Sequence, residues 1–265
     1  METNILNGSY FRPLVSGFIA ENKSLILESG YPYGLFIPYV FPKYYSSPIK
    51  IFYIGRDTYY WIPKDEMLNS FVEDNLNSYF DKNSSAVNTE KTFEWGNGSG
   101  SFWGFVNKLH LYIRTNELKD LNNLEENDIE ILKEVGYGNV NCMELNKTLL
   151  NNEGRSAEDF DWDKLWLLRM KSKMFDSVAH IINAYQPDIV VILNWMKNPS
   201  SFIEELNYVK QEDLYKDSIS AVYLSDKVKT KVIWSSHPRR FSFIGENQES
   251  MAHELGDLVL KLSNK

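Results

Sequence analysis

Residues 187–195 read Pro187-Asp188-Ile189-Val190-Val191-Ile192-Leu193-Asn194-Trp195, and this stretch sets the fold class. Five aliphatic residues stand in a row, opened by a Pro-Asp break and closed by Asn, with no polar alternation. A strand with one wet face alternates. A continuous run of this kind is buried on both faces, as in a parallel sheet covered by helices. Two other runs share the form. Ile49 to Ile54 (Ile-Lys-Ile-Phe-Tyr-Ile) leads into Gly55-Arg56-Asp57, and Lys231 to Trp234 (Lys-Val-Ile-Trp) leads into Ser235-Ser236-His237-Pro238. Residues 139–143 (Asn-Val-Asn-Cys-Met) give a shorter candidate.

Helical patterns lie between and after these runs. Over 163–186, Trp166, Met170, Met174, Val178, Ile181, Ile182 and Tyr185 recur every three to four residues, with Asp163 at the cap position and Pro187 as the stop. Over 246–263, Met251, Leu255, Leu258, Val259 and Leu262 form an amphipathic stripe. Strands alternating with helices predict an α/β protein, a three-layer α/β/α sandwich around a mainly parallel four-stranded sheet. The expected organisation is a single domain over 1–265, with an N-terminal extension of about 1–48 and an insertion of about 62–138 packed on it.

The chain has 265 residues, one Cys, four His and a formal net charge of −8. A lone Cys142 excludes a disulfide framework and a Cys-based zinc site. No stretch approaches the roughly 18 apolar residues that span a bilayer, and the first residues lack the basic start and apolar core of a signal peptide. The expectation is a soluble, cytoplasmic protein with no membrane partner. An acidic total argues against a coat for nucleic acid, because neutralising phosphates takes Lys and Arg. The charge is uneven, however. Residues 116–134 net −5 and 144–165 net −3, whereas 226–243 net +4. The basic excess is therefore expected at the loop after the last strand.

In open α/β sheets, ligands bind outside the carboxyl ends of the strands. Those ends here carry Asp57, Asn141, Asn194 and His237. Two stretches fall outside the strand–helix rhythm. Residues 31–48 mix four prolines with aromatics and read as an ordered entry loop. Residues 83–101 run through Phe93-Glu94-Trp95-Gly96-Asn97-Gly98-Ser99-Gly100 towards Phe102-Trp103, either a cover for a ligand or a plain surface loop. The Gly-Lys-Ser/Thr ending of a phosphate-cradling loop is missing.

Two strand-end loops carry the chemistry: Gly55-Arg56-Asp57-Thr58-Tyr59-Tyr60 and Ser236-His237-Pro238-Arg239-Arg240-Phe241. On Gly55, Asp57 and Tyr59 in the first and His237-Pro238 in the second, the chain resembles the uracil-DNA glycosylase superfamily over residues 50–243. The family's loops read Gly-Gln-Asp-Pro-Tyr-His and His-Pro-Ser-Pro-Leu. The resemblance implies a monofunctional DNA glycosylase, a monomer acting on DNA without cofactor or metal. It assigns Asp57 to orienting the water and stabilising the sugar cation, and His237 to donating a hydrogen bond to the departing base. It gives Asn141, with Asn146 in reserve, the base edge, and Tyr59 the wall beside it. The stacking aromatic falls to Phe102, Trp103 or Phe105, and the DNA contacts to Ser236, Arg239, Arg240 and Phe241.

Each assignment has a plainer counterpart. Gly-x-Asp after a strand is a common turn, and His-Pro another. Asn141 is equally a backbone-bonding Asn, Tyr59 a packing residue, and Phe241 a core aromatic as readily as a wedge. His110, His180 and His253 sit on helical patterns and read as structural or solvated. Arg56 and Thr58 replace the Gln and Pro that shape a uracil pocket, which suggests a pocket remodelled for another pyrimidine, such as a modified cytosine of phage DNA met in antiviral defence. Retained Tyr59 counts against a 5-substituted base unless its loop has shifted. The alternatives are uracil excision in repair and a non-catalytic DNA-binding module on the same fold.

Overall fold

The computed structural model describes residues 2–29, 36–55, 101–140, 156–173, 177–194, 202–211 and 221–264. In chain order the helices are α1 (Glu2–Glu28), α2 (Ser101–Thr115), α3 (Glu126–Ile131), α4 (Trp162–Lys173), α5 (Ser177–Tyr185), α6 (Phe202–Glu205) and α7 (Gln248–Ser263). The strands are β1 (Tyr39–Val40), β2 (Ile51–Gly55), β3 (Val135–Asn139), β4 (Ile189–Leu193), β5 (Tyr208–Lys210), β6 (Ala221–Ser225) and β7 (Lys231–Ser235). They fall into two compact units, one of residues 1–39, 56–86 and 138–180, the other of 40–55, 87–137 and 181–265.

The three continuous apolar runs become the centre of the second unit. β2 and β4 are buried at all five positions. They pair in parallel from Ile51↔Ile189 to Ile54↔Ile192, and β4 pairs in parallel with β7 from Ile189↔Lys231 to Leu193↔Ser235. The class is α/β as expected, but the sheet has seven strands, in the order β1-β3-β2-β4-β7-β6-β5. Strands β6 and β5, antiparallel to their neighbours, extend it beyond β7. Neighbouring side chains of β2 meet helices on opposite faces. Phe52 stacks on Tyr185 of α5 with ring centroids 5.2 Å apart, whereas the Tyr53 hydroxyl meets Nδ1 of His110 on α2 at 3.1 Å. Helix α7 packs along α2, tied by the Tyr112 hydroxyl donating to Asp257 at 2.8 Å.

A strand runs over Val135–Asn139, overlapping the candidate at 139–143 by one residue; residues 141–143 lie outside the described residues. Its Val-Gly-Tyr-Gly-Asn sequence has little β-propensity, because Gly136 is chosen for close approach: a Cβ there would collide with the ring of Phe52. Packing selects the residue, and propensity gives way.

In the first unit, Phe11, Val15, Phe18, Ile19 and Ile26 form the buried stripe of α1, which packs on α4. The helix expected over 163–186 is described as two, α4 and α5, and residues 174–176 lie outside the described residues. The phase of the first half also differs from expectation. Leu165 and Leu168 are buried, while Trp166 and Met170 are about half exposed. The cap is Asp161, whose side chain accepts from the Lys164 backbone N–H at 3.1 Å, rather than Asp163. Among the described residues no helix is long and apolar enough to cross a membrane.

Candidate functional site

The chain leaves β2 for β3 on one side and reaches β4 on the other side of β2. Where neighbouring parallel strands send their connections opposite ways, a crevice opens beyond their carboxyl ends. In the second unit that end is marked by Gly55 of β2, Asn194 just past β4, and Ser235 at the end of β7.

Asn194 is 4% exposed and fixed from two sides. Its backbone N–H donates to the Ser235 carbonyl at 3.2 Å, and its Oδ1 accepts from the indole Nε1 of Trp234 at 2.8 Å. An indole only donates, so the orientation of the amide is set. Sequence reading put Asn194 at a strand end and gave it no role; the indole contact is what distinguishes it. The Ser235 side chain is fully buried and its hydroxyl has no hydrogen-bond partner among the described residues. A buried hydroxyl carries a desolvation cost wherever no other group bonds it.

His237 follows two residues later and caps the 3₁₀ turn Pro238–Ile244. Its Nδ1 accepts the Arg239 backbone N–H at 3.2 Å. In the neutral ring this places the proton on Nε2, which becomes a donor. Phe102, in the first turn of α2, stacks near-parallel to the imidazole with centroids 6.4 Å apart. Trp103 stands edge-on to Phe102 at 5.3 Å and to Tyr137 of β3 at 4.5 Å. The structure therefore brings His237, Phe102 and Trp103 to one end of the sheet, with Ser236 half-buried beside them and Arg239 exposed. Arg56, Asp57, Tyr59, Asn141 and the reserve Asn146 lie outside the described residues.

Two expectations change. Phe241 is 1% exposed and packs edge-on against Phe105 of α2 at 4.8 Å, so it is a core aromatic and has no free ring to serve as a wedge. Phe105 is fully buried with it, which removes it from the candidates for stacking on a base. The exposed ring in the turn is Phe243, at 80%. The basic excess of 226–243 is also divided. Arg239 and Arg240 sit past the carboxyl end of β7, while Lys227, Lys229 and Lys231 belong to the β6–β7 hairpin at its amino end, around a hollow of about 370 Å³. The five residues of β7 separate them by roughly 16 Å at 3.3 Å per residue.

The other histidines are not part of this end. His110 is fully buried between Tyr53 and Glu134, whose carboxylate lies 4.0 Å from Nε2 and pairs with Arg114. Burial, and secondarily the Arg114 charge, depress its pKa to about 3, against a small upward pull from the Ile131 carbonyl. It is a neutral core histidine. His180 Nδ1 meets the Tyr10 hydroxyl at 3.1 Å, and His253 is exposed with its ring edge-on to Tyr112. Among the described residues no three His, Cys, Asp or Glu side chains gather as metal ligands. No family model matches the chain, and no curated protein matches it.

Proposed function

We propose that the chain is a monofunctional DNA glycosylase that flips out a non-canonical pyrimidine and hydrolyses its N-glycosidic bond. The observation that carries this reading is His237: an imidazole at the carboxyl end of β7, its Nδ1 occupied by a backbone N–H, so that Nε2 presents a proton beside an aromatic ring and an arginine-bearing turn. That is the group required where a base departs with the bonding electrons. As the C1′–N bond breaks, the Nε2–H stabilises the anion developing on the base carbonyl. Asp57, two residues beyond the end of β2 in sequence, orients the water whose oxygen bonds to C1′ and takes its proton. An abasic site remains.

Further support comes from the central strand order, β3-β2-β4-β7, which sets the switch point between β2 and β4, next to β7 and its histidine. Asn141 keeps the base-reading role that the family resemblance implies, a base substituted at its 5-position requires the loop of Tyr59 to have shifted from the family's wall, and Phe102 is the stacking ring because it already faces His237. Arg56 and Thr58, in place of the family's Gln and Pro, favour a modified base, for instance a phage-modified cytosine, over plain uracil. The protein acts as a cytoplasmic monomer without cofactor.

The test is release of abasic sites from duplexes carrying uracil, 5-hydroxymethylcytosine or glucosylated cytosine, with Asp57→Ala and His237→Ala as controls. Cleavage of a modified cytosine, lost in both variants, is the expected result. Cleavage of uracil alone would leave the enzyme but overturn the modified-base substrate. DNA binding with no base release from any duplex would leave only a binding module.

A further inference from the structure

The turn that follows His237 holds one aromatic ring inside the fold and one outside it. Phe241 is 1% exposed and Phe243 is 80% exposed, two residues apart. The outer ring is presented by a locked turn. The Arg240 N–H bonds the His237 carbonyl at 2.7 Å, the Glu246 N–H bonds the Phe241 carbonyl at 2.9 Å, and Gly245 closes the turn at φ +78°, a left-handed conformation suited to glycine. The Arg240 guanidinium carbon lies 5.5 Å from the Phe243 ring centroid, a cation–π contact that holds side chain against side chain. Ile244, 43% exposed, adjoins it.

Resting on the reading of the chain as a DNA-acting protein, we propose that this turn is a stacking platform for an unpaired nucleobase, with Phe243 as the ring. Charge identifies the occupant. Pro238–Ile244 contains two arginines and no acid in a chain of net charge −8, so the segment suits an anionic strand. A ring backed by a guanidinium offers its π-face to any base. A second copy of this chain is the weaker occupant, because two exposed apolar side chains fall far below the roughly 800 Å² per partner of a stable interface. The base is unpaired because a ring can enter a matched duplex only by unstacking a base step, whereas a single-stranded or mismatched base presents its face without that cost. The acidic remainder of the chain keeps sequence-blind affinity low, and local stacking supplies the preference.

The test measures dissociation constants of the full chain, at one fixed salt concentration, for a single-stranded oligonucleotide, a duplex with one mismatch and a fully matched duplex. The first two bind more tightly than the third. Phe243→Ala weakens the single-stranded complex about five- to hundred-fold and barely changes the matched one, with an unaltered melting temperature because the ring is outside the core. Phe243→Trp retains affinity, and its fluorescence is quenched by the single strand. Phe243→Leu fails to restore affinity. Equal affinities for all three ligands, full binding by Phe243→Leu, or a dimer that Phe243→Ala dissociates in sedimentation would each overturn the platform. Wild-type base release, measured in parallel, separates the two proposals. No release with stacking intact overturns only the glycosylase reading, and release with Phe243→Ala binding unchanged overturns only the platform.

Discussion

The two ends of β7 are built to opposite rules. At the amino end, polar side chains are spent on the fold itself. The Ser225 hydroxyl donates to the Leu206 carbonyl and accepts the N–H groups of Lys227 and Val228. Thr230 Oγ1 donates to the Pro187 carbonyl at 2.6 Å, the Tyr208 hydroxyl donates to the Thr230 carbonyl at 2.8 Å, and the Asp188 carboxylate accepts the Lys50 N–H at 2.8 Å. Lys231 reaches the Leu262 carbonyl with its ammonium. At the carboxyl end the Ser235 hydroxyl is buried without a hydrogen-bond partner among the described residues, a half-buried imidazole caps a turn, and Phe243 stands outside. At the amino end these polar side chains bond within the fold; at the carboxyl end a buried hydroxyl has no partner among the described residues and an aromatic ring stands in solvent. Consistency at every level marks a structural region, and departures from it mark a functional one.

The largest way to break this contrast is to remove His237. In single-turnover base release, His237→Ala is expected to slow the chemical step about 10²- to 10³-fold, the usual loss for a donor aimed at developing charge. Its melting temperature should stay near that of the wild type, because the ring is only half-buried and its described bond is to a local backbone N–H. A variant that instead melts much lower and keeps its rate per folded molecule would make His237 a structural residue, and the contrast would collapse.

Acid acts on the middle of the sheet, between the two ends. His110 has its pKa depressed from the ordinary 6.5 to about 3, so over that window the unfolded chain binds a proton that the folded chain refuses. Stability is complete above pH 6.5 and falls on acidification towards 3, by about 1.4 kcal/mol per pH unit once below 6.5. The groups facing it are Tyr53, Glu134, Arg114 and the Ile131 carbonyl. Melting curves between pH 7 and 4 should therefore fall more steeply for the wild type than for His110→Gln. Equal slopes would show that some other group carries the acid sensitivity.

A smaller effect is expected at the amino end. Thr230 is 4% exposed, and Thr230→Val keeps its shape while leaving the Pro187 carbonyl without its hydroxyl. The cost is about 1–3 kcal/mol of stability, read as a lower denaturant midpoint, with base release unchanged. A lowered rate at unchanged stability would mean that the two ends are not separate in function.

Much of this contrast is visible in the sequence, and the reasons for the rest are physical. Ile51–Ile54, Ile189–Leu193 and Val232–Trp234 announce their strands because burial on both faces demands continuous apolar residues. The stripe Met251, Leu255, Leu258, Val259, Leu262 is buried as its spacing predicts. β3 escapes because Gly136 answers to the Phe52 ring and not to strand propensity. β5 escapes because it has three residues with one buried, and β6, though as long as β7, because it is only partly buried. The choice between Phe241 and Phe243 cannot be made locally: a Phe-Ser-Phe step in a 3₁₀ turn leaves either ring available, and Phe105 on a distant helix selects Phe241 for the core. Within the candidate site, His237 is legible from its place after a strand, whereas the tautomer that makes it a donor depends on the Arg239 N–H, which only the fold supplies.

The smallest expected effect is the sharpest test of the division, because summed charge argues against it. Read as one stretch, residues 226–243 carry +4 and suggest a single basic face. The strand between them assigns Lys227 and Lys229 to one end of the sheet and Arg239 and Arg240 to the other. At physiological ionic strength the screening length is about 8 Å, and roughly 16 Å of strand lies between the two sets. The lysines therefore have little purchase on a strand held at the carboxyl end. Lys227→Gln with Lys229→Gln should change DNA affinity less than about two-fold and leave the slope of log affinity against log salt unaltered, whereas Arg239→Gln should lower that slope by about one. If the lysine pair reduced the slope as much as Arg239→Gln does, the nucleic acid would have to run the length of β7, and the amino end would belong to the binding surface as well.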